Sequence, residues 1–257
     1  MGCVQDRANE WSLRCEHEAK GSPGASWFVT LTYDERNFPP GGSLVLSDLQ
    51  KFWKRLRILA PGFRYFACGE YGEEFLRPHY HALVFGYAPV DMVRRARADG
   101  TQVFEAASFS SCWGLGRTDI QPFSAAAAQY VCNYVRKSFS VSGSKVDFGS
   151  RLRPFQVMSR RPGIGGEFVR KFLSDIYPDG YVTRPGGGRR RAPRFYDLTC
   201  ESVSPKMFRK VKRARAAAAA ANVDATGSRL IVREAVEQAR YSFFDSVKGR
   251  PFERSIP

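Results

Sequence analysis

Two of the three histidines in this chain stand two residues apart, at His79 and His81, within the segment 77–86 (RPHYHALVFG). The residues that follow them, 82–85, are apolar and partly β-branched, which predicts a buried β-strand. Side chains alternate along a strand, so both imidazoles point to one face and lie close enough together to bind one divalent metal ion. This pattern alone leaves open a chance pair of histidines on a half-exposed strand.

A carboxylate is expected beside these histidines. The preceding segment is also a predicted strand and runs into Glu70, so the two strands are expected to pair as an antiparallel hairpin. Glu70 would then complete a set of three metal ligands with His79 and His81, and Glu73 is the second choice of carboxylate. Mg²⁺ prefers oxygen ligands and Mn²⁺ accepts imidazole more readily, so either ion is predicted. The alternative is a turn in which Glu70 pairs with Arg77.

A second candidate group lies on a predicted helix that Ser124 caps and that runs to about residue 139. At about 100° per residue, Tyr130, Tyr134 and Lys137 fall within about 60° of one another, away from the apolar stripe. A tyrosine hydroxyl is a weak nucleophile, but a metal ion on the electrophile and an adjacent cation such as Lys137 make it useful. This group fits transesterification at a DNA phosphodiester, and two tyrosines that only stack on bases are the alternative.

The chain carries 40 Lys and Arg residues against 25 Asp and Glu residues, a formal net charge of +15. This excess predicts a polyanionic partner, most simply nucleic acid, with an anionic membrane surface as the alternative. No apolar run reaches the roughly 18 residues of a spanning helix, and no secretory signal heads the chain. The six cysteines form no C-x-x-C pair, so we expect reduced thiols in a cytoplasm and neither a zinc ribbon nor a disulfide framework.

Arginine clusters in Gly-rich loops are the predicted phosphate contacts. They are Arg160 and Arg161, and Arg189, Arg190 and Arg191 in a basic hairpin, to which we add Arg77 and Arg136. A flexible, solvated loop is the alternative for the hairpin. Six Lys and Arg residues then precede six alanines, 216–221, in a tail that either grips duplex DNA or is a solvated arm. We expect a catalytic domain at residues 1–200 and a basic helical tail at 201–257.

The periodicity along the chain predicts an α+β fold. Predicted strands are 26–33, 63–69, 77–86, 118–120, 155–158 and the hairpin 181–191. Predicted helices are 6–20, an amphipathic helix capped by Ser47 that lies on the sheet, 89–98, 104–113, one ending at 176, and 226–244.

Three of these motifs resemble those of the HUH endonucleases, which include rolling-circle replication initiators and relaxases. His79-Tyr80-His81 resembles the His-hydrophobe-His motif, Tyr130-x-x-x-Tyr134-x-x-Lys137 the two-tyrosine motif, and residues 28–33 (FVTLTY) the first motif, in the same order. With CGEYG at 68–72 and MSRRPGIG at 158–165, residues 11–199 are similar to the replication initiators of gokushovirus-like microviruses, which are small single-stranded DNA phages. The resemblance also implies a Cys-rich stretch ahead of residues 3–20, missing or shortened here.

The resemblance implies an antiparallel sheet of about five strands flanked by helices, of the HUH endonuclease or ferredoxin-like type. The histidines would lie on a central strand near the tyrosine helix. The implied enzyme nicks one strand of the origin duplex, keeps the 5′-phosphate on a tyrosine and leaves a 3′-OH that primes host polymerase, alongside host helicase, in the bacterial cytoplasm. The second tyrosine rejoins the strand. A relaxase or transposase of the same superfamily and a non-catalytic single-stranded nucleic-acid-binding protein are the alternatives.

Overall fold

The computed structural model describes residues 2–72, 75–96, 102–139, 148–183 and 187–247, and the side chains of residues 2–5, 134–139, 225 and 241–247 lie outside that description. The chain divides into two compact units, Cys3–Phe168 and a second unit that begins at Val169. The predicted division after residue 200 concerns function and stays a prediction.

A seven-stranded antiparallel sheet forms the first unit. Its strands are β1 (Ser26–Thr32), β2 (Arg64–Tyr71), β3 (Pro78–Phe85), β4 (Met92–Ala96), β5 (Gln102–Ala106), β6 (Thr118–Pro122) and β7 (Phe155–Met158). Their spatial order is β4-β5-β6-β1-β3-β2-β7, so the histidine strand β3 has a neighbour on both sides. The α+β class and the central position of β3 are confirmed, whereas the predicted number of about five strands is wrong.

The two additional strands lie where helices were predicted. Residues 89–98 contain β4 rather than a helix, and residues 104–113 contain the end of β5 followed by α3 (Ala107–Trp113). β4 and β5 pair with one another, from Met92 opposite Ala106 to Ala96 opposite Gln102. Short apolar runs fit both the helical and the strand period of hydrophobic residues. Here, pairing with a neighbouring strand stabilises the strand. The dipeptide Asp99-Gly100 is typical in sequence of a β-hairpin turn, and the predicted helices did not take it into account.

Helices cover both faces of the sheet. On the face that carries Leu31, Tyr80 and Val84 lie α2 (Leu46–Leu59) and α3, and on the face that carries Phe28, Phe66 and Leu83 lie α1 (Gly2–Gly21) and α4 (Ala125–Phe139). Of the two predicted helix N-caps, the one at Ser124 is confirmed. The Ser124 hydroxyl accepts from the Ala127 N–H at 3.0 Å, as expected.

The predicted Ser47 cap is wrong, because α2 begins at Leu46 and its flanking residue Val45 makes no side-chain cap bond. The start of α2 is held from the sheet instead. Tyr80, between the two histidines but on the opposite face, contacts the backbone N and O of Val45 through its hydroxyl at 2.9 and 3.0 Å. The residue between the histidines therefore fixes a helix on one face of β3 while the histidines occupy the other.

The chain continues with α5 (Gly166–Lys171), α6 (Leu173–Ile176), the hairpin β8 (Tyr181–Thr183) and β9 (Arg189–Arg191), α7 (Arg194–Val203), α8 (Pro205–Ala220) and α9 (Gly227–Val247). The predicted basic hairpin and helical tail are confirmed, and the helix predicted to end at 176 is split into α5 and α6. Five cysteines are buried free thiols, as expected, namely Cys15, Cys68, Cys112, Cys132 and Cys200. Within the described ranges, no helix combines the length and apolarity needed to cross a bilayer.

Gly116 lies where the backbone before β6 runs close to the backbone at the end of β1. Its φ is +151°, and a Cβ there would collide with the carbonyl oxygen of Thr32 and lie 2.5 Å from the backbone N of Asp34. Gly116→Ala is therefore expected to lower the free energy of unfolding by about 3 kcal/mol or more, because backbone must move. Urea unfolding followed by tryptophan fluorescence measures the loss.

Gly114→Ala is the matched control for Gly116→Ala. Gly114 also has a positive φ, +66°, but a Cβ there would meet its nearest neighbour, the Ser111 carbonyl oxygen, at 3.6 Å, an ordinary contact. It should cost only the roughly 1–2 kcal/mol of a left-handed backbone. Equal losses in the two variants would contradict the close approach of the backbone at Gly116.

Candidate metal centre

Glu70, His79 and His81 converge on one face of the β2–β3 hairpin. Glu70 pairs with His79 in the antiparallel register, as predicted. The Nε2 atoms of His79 and His81 lie 2.9 and 2.8 Å from Oε1 of Glu70. Glu70 and His81 are buried, and His79 is half-buried. Arg77 pairs with Glu35 at 2.7 Å, so the alternative in which it pairs with Glu70 is not what the structure shows.

The outer nitrogen of each imidazole has its own partner. Nδ1 of His79 lies 3.0 Å from the carbonyl oxygen of Arg77, and Nδ1 of His81 lies 3.0 Å from Oγ1 of Thr30. A carbonyl oxygen only accepts, so Nδ1 of His79 is the donor in its contact with Arg77. Nε2 donates to Glu70 when the ring is protonated and would offer its lone pair to a metal ion when the ring is neutral. Such outer contacts orient histidines that bind metal ions. Both Nε2 atoms are thus directed at Glu70.

The Glu70 carboxylate is held ionised in a buried place. Burial acts to raise its pKa, but hydrogen bonds from His79 and His81 and their charge lower the pKa to about 2. Its Oε2 is buried and has no hydrogen-bond partner within the described part of the chain. A buried carboxylate oxygen without a partner, beside two converging imidazole nitrogens, is a donor set that suits a divalent cation. The residues present therefore fit the predicted divalent metal ion.

Tyr130 is the predicted nucleophile that the structure brings to this centre. α4 packs against β2, β3 and β7. The Tyr130 hydroxyl donates to Oε1 of Glu70 at 3.3 Å, and its ring meets His81 edge-on with centroids 5.2 Å apart. Phe28, on β1, stacks on His81 with ring centroids 5.3 Å apart and is T-shaped to Tyr130 at 6.2 Å, so the three rings contact one another. One phenol and the three candidate ligands therefore form a single contact group.

The other predicted residues of the tyrosine motif follow on the same helix. Tyr134, Arg136 and Lys137 belong to the α4 backbone, but their side chains lie outside the described residues, as does Glu73 altogether. Their proposed roles stay predictions.

Two residues beside the centre had no predicted role. Thr30 pairs with His81 on one side and with Asp119 of β6 on the other, so the three lie in one row across the sheet. Asp119 is buried and pairs with Arg95 at 3.1 Å and Arg117 at 3.3 Å. The row results from the pairing of β6, β1 and β3. Alternation of residues within each strand does not predict which strands pair.

Three of the predicted phosphate-contacting arginines whose side chains are described lie in the first unit. Arg77 is engaged with Glu35 and lies over the Phe38 ring. Arg160 and Arg161 are exposed in the turn that follows β7. Their guanidinium groups are accessible to a ligand.

The other three lie in the second unit, on β9. Arg189 forms an ion pair with Asp179, and Arg191 lies 3.8 Å from Oδ2 of Asp197. Arg190 is half-buried. This hairpin is partly neutralised by its own acidic neighbours, which the sequence did not indicate.

Comparison with known proteins covers the region that carries the candidate centre. Residues 26–139 match the model of the family "Replication-associated protein ORF2/G2P". The ORF2/G2P region runs from the start of β1 to the end of α4, so it includes Glu70, His79, His81, Tyr130 and Tyr134.

Three curated relatives extend the match beyond the ORF2/G2P region. Replication-associated protein VP4 of Bdellovibrio phage phiMH2K is 29% identical over 208 residues, 76% of this chain and 63% of the relative. Replication-associated protein ORF2 of Spiroplasma virus 4 is 27% identical over 216 residues, 78% of this chain and 66% of the relative. Replication-associated protein ORF4 of Chlamydia phage 1 is 27% identical over 214 residues, 79% of this chain and 52% of the relative.

The chain thus spans less than two thirds of the length of each of these relatives. No solved structure matches it. The expected resemblance to replication initiators of the microvirus type is confirmed.

Proposed function

We propose that this protein initiates DNA replication by nicking and rejoining a DNA strand at an origin, through metal-assisted transfer of the strand to a tyrosine. The observation that carries the proposal is the contact group of Glu70, His79, His81 and the Tyr130 hydroxyl inside the ORF2/G2P region. A non-catalytic binding protein would account for the net charge of +15. Such a binding protein would have no role for two imidazoles and a carboxylate that converge next to a tyrosine hydroxyl.

In the proposed step, Oη of Tyr130 or Tyr134 attacks the phosphorus of a phosphodiester. A bond from phosphorus to the tyrosine oxygen forms and the bond from phosphorus to the 3′ oxygen breaks. The phenol gives up its proton and the 3′ oxygen takes one, which leaves a 5′-phosphotyrosine and a free 3′-OH.

The residues of the site have separate tasks in this step. Glu70 accepts the hydrogen bond of Tyr130 and so orients its hydroxyl. Lys137 is proposed as the cation that favours the phenolate. Glu70, His79 and His81 would hold Mg²⁺ or Mn²⁺, which when bound supplies charge neutralisation at the phosphate.

The partners follow from the proposed reaction. The substrate is single-stranded DNA exposed within an origin duplex, and the 3′-OH serves host polymerase behind a host helicase in the cytoplasm of the bacterial host. No membrane partner is proposed. A relaxase or transposase would share the chemistry and differ in the DNA that it recognises.

The test is metal-dependent cleavage with formation of a covalent adduct. The full chain is incubated with labelled single-stranded oligonucleotides that tile the replicon encoding it, in Mg²⁺, Mn²⁺ or EDTA. We expect one oligonucleotide to be cut only with a divalent ion, with one product bearing a 3′-OH and the other bound to denatured protein. Binding without cleavage in every metal would favour the non-catalytic alternative.

Arg160 and Arg161 are proposed to contact phosphates of the bound strand. Their loop is fixed to the sheet face that carries the metal centre, because Arg14 of α1 donates to the Ile164 carbonyl oxygen at 2.9 Å and Ile164 packs in that core. Arg77, Arg136 and the arginines 189–191 remain proposed contacts as well.

Replacing both Arg160 and Arg161 with Gln should reduce the slope of log affinity for single-stranded DNA against log salt by about 1.4, because each phosphate contact to a single strand contributes about 0.7 to that slope. Fluorescence anisotropy over a range of salt measures it. Lys51→Gln with Lys54→Gln is the control, since α2 packs on the opposite face of the sheet. A slope that both pairs leave unchanged would place the contact surface elsewhere.

A further inference from the structure

We propose that the exposed face of α8 is a binding surface for the phosphate backbone of double-stranded DNA. It is a separate function from nicking, since all described residues of the candidate centre lie in the unit Cys3–Phe168 and α8 lies in the unit that begins at Val169.

The charges of α8 are segregated to one side of the helix. Its inner side is apolar and buried or half-buried, at Met207, Phe208 and Val211. Five exposed cations occupy the remaining surface, about 100° to 160° around the helix from Val211; they are Lys206, Arg209, Lys210, Lys212 and Arg213. At about 1.5 Å per residue they extend over roughly 10 Å of helix axis.

Buried contacts fix which side of α8 faces outward. Arg215 turns inward, where its Nη1 lies 2.6 Å from Oδ2 of Asp197 and its Nη2 donates to the Gly180 carbonyl oxygen at 2.8 Å. The Tyr177 hydroxyl donates to Oδ1 of the same Asp197 at 2.6 Å. With Val211 buried beside them, this network prevents α8 from rotating its cations toward the interior.

No acidic residue among those that the structure describes neutralises the five cations. α8 contains no acidic residue, and none of the five has an ion pair among the residues that the structure describes. Lys206 and Lys210, and Arg209 and Arg213, are like charges at i and i+4, which destabilise a helix by about 0.2–0.5 kcal/mol per pair. Helix stability therefore does not account for the arrangement, whereas an anionic ligand does.

The composition of the face identifies the anion. A helix that binds a lipid surface presents large apolar side chains beside its basic ones, but the apolar residues of α8 are on its inner side. A surface for single-stranded nucleic acid offers aromatic rings for stacking, and this face has none. Apart from Pro205 at the start of α8, its uncharged residues are alanines, which let the helix approach a ligand closely. A rigid phosphate array, one charge per roughly 1.7 Å of duplex axis, matches these properties.

The test uses the full chain with Lys206, Arg209 and Arg213 replaced by Gln, which has a similar helix propensity. Affinity for a duplex of about 30 base pairs and random sequence is measured by anisotropy in EDTA over a range of salt. We expect the slope against log salt to fall by about 2 to 3 and affinity at low salt to fall at least about tenfold. Circular dichroism checks that helical content is kept.

Two controls make the result specific. The triple variant Lys51→Gln, Lys54→Gln, Arg57→Gln removes the same charge from the exposed side of α2 and should change the slope by less than about 1. Binding and nicking of a short single-stranded oligonucleotide should stay within about twofold in the α8 variant.

An unchanged duplex slope in the α8 variant, or a loss confined to anionic phospholipid vesicles or to single strands, would overturn the proposal. Because duplex binding is measured in EDTA, the outcome is independent of nicking. A lowered slope in a protein that never nicks would support this surface while the proposed enzyme function fails.

Discussion

His81→Ala is expected to lower metal-dependent nicking at least about a thousandfold while single-stranded DNA binding stays within about threefold. The change removes one of three converging ligand atoms, the Nε2 that lies 2.8 Å from Oε1 of Glu70. A bound divalent ion contributes several kcal/mol to such a transition state, and about 4 kcal/mol corresponds to a thousandfold in rate. Nicking of the labelled oligonucleotide and direct titration with Mn²⁺ measure activity and metal affinity separately.

Two further variants keep this prediction testable. Thr30→Val removes only the contact to Nδ1 of His81, so metal affinity should fall about 10- to 100-fold. His79→Ala should repeat the loss of nicking at a half-buried position, which guards against a folding defect at the buried His81. Normal nicking by His81→Ala in EDTA would show that this cluster has no catalytic role.

The three candidate metal ligands were predictable because they are close in sequence, in one hairpin. The helix that carries Tyr130 was predictable from its period, but that period did not determine the contact of Tyr130 with Glu70, 60 residues away. The row of Thr30, His81 and Asp119 was not predictable, because it depends on pairing between residues 51 and 89 positions apart in sequence. The hydrophobic period of a single strand predicts which of its residues share a face, but it does not predict which strands are neighbours.

Long-range polar contacts show the same limit. The turn that carries Arg160 and Arg161 is tied to α1 through Glu18, whose carboxylate accepts from the Gly165 N–H at 2.5 Å across 147 residues. Nothing in the local sequence around Glu18 marks it as a loop anchor. Its buried carboxylate also pairs with Arg64 of β2, so its place is set by the assembled sheet.

Replacing both Tyr130 and Tyr134 with Phe is expected to remove the covalent DNA adduct entirely, while either single variant keeps some of it. Tyr130 touches Glu70 in the candidate centre, and Tyr134 follows one helical turn later, about 6 Å along the axis. A small shift of α4 or of the bound strand would exchange the two hydroxyls at one phosphate. Denaturing gels of protein with labelled oligonucleotide measure the adduct, and Tyr181→Phe, an exposed tyrosine of the second unit, is the control.

A second nucleophilic tyrosine is needed if the protein remains covalently bound to the 5′ end while a new strand is made. The first tyrosine is then esterified and unable to attack, so a second cleavage needs the other phenol. Its attack would release the completed strand and transfer the new 5′ end. Peptide mapping of adducts from the wild-type protein should therefore find DNA on both tyrosines. Label on a single tyrosine, together with full strand rejoining by the Phe variant of the other, would rule out alternation and leave a one-nucleophile enzyme.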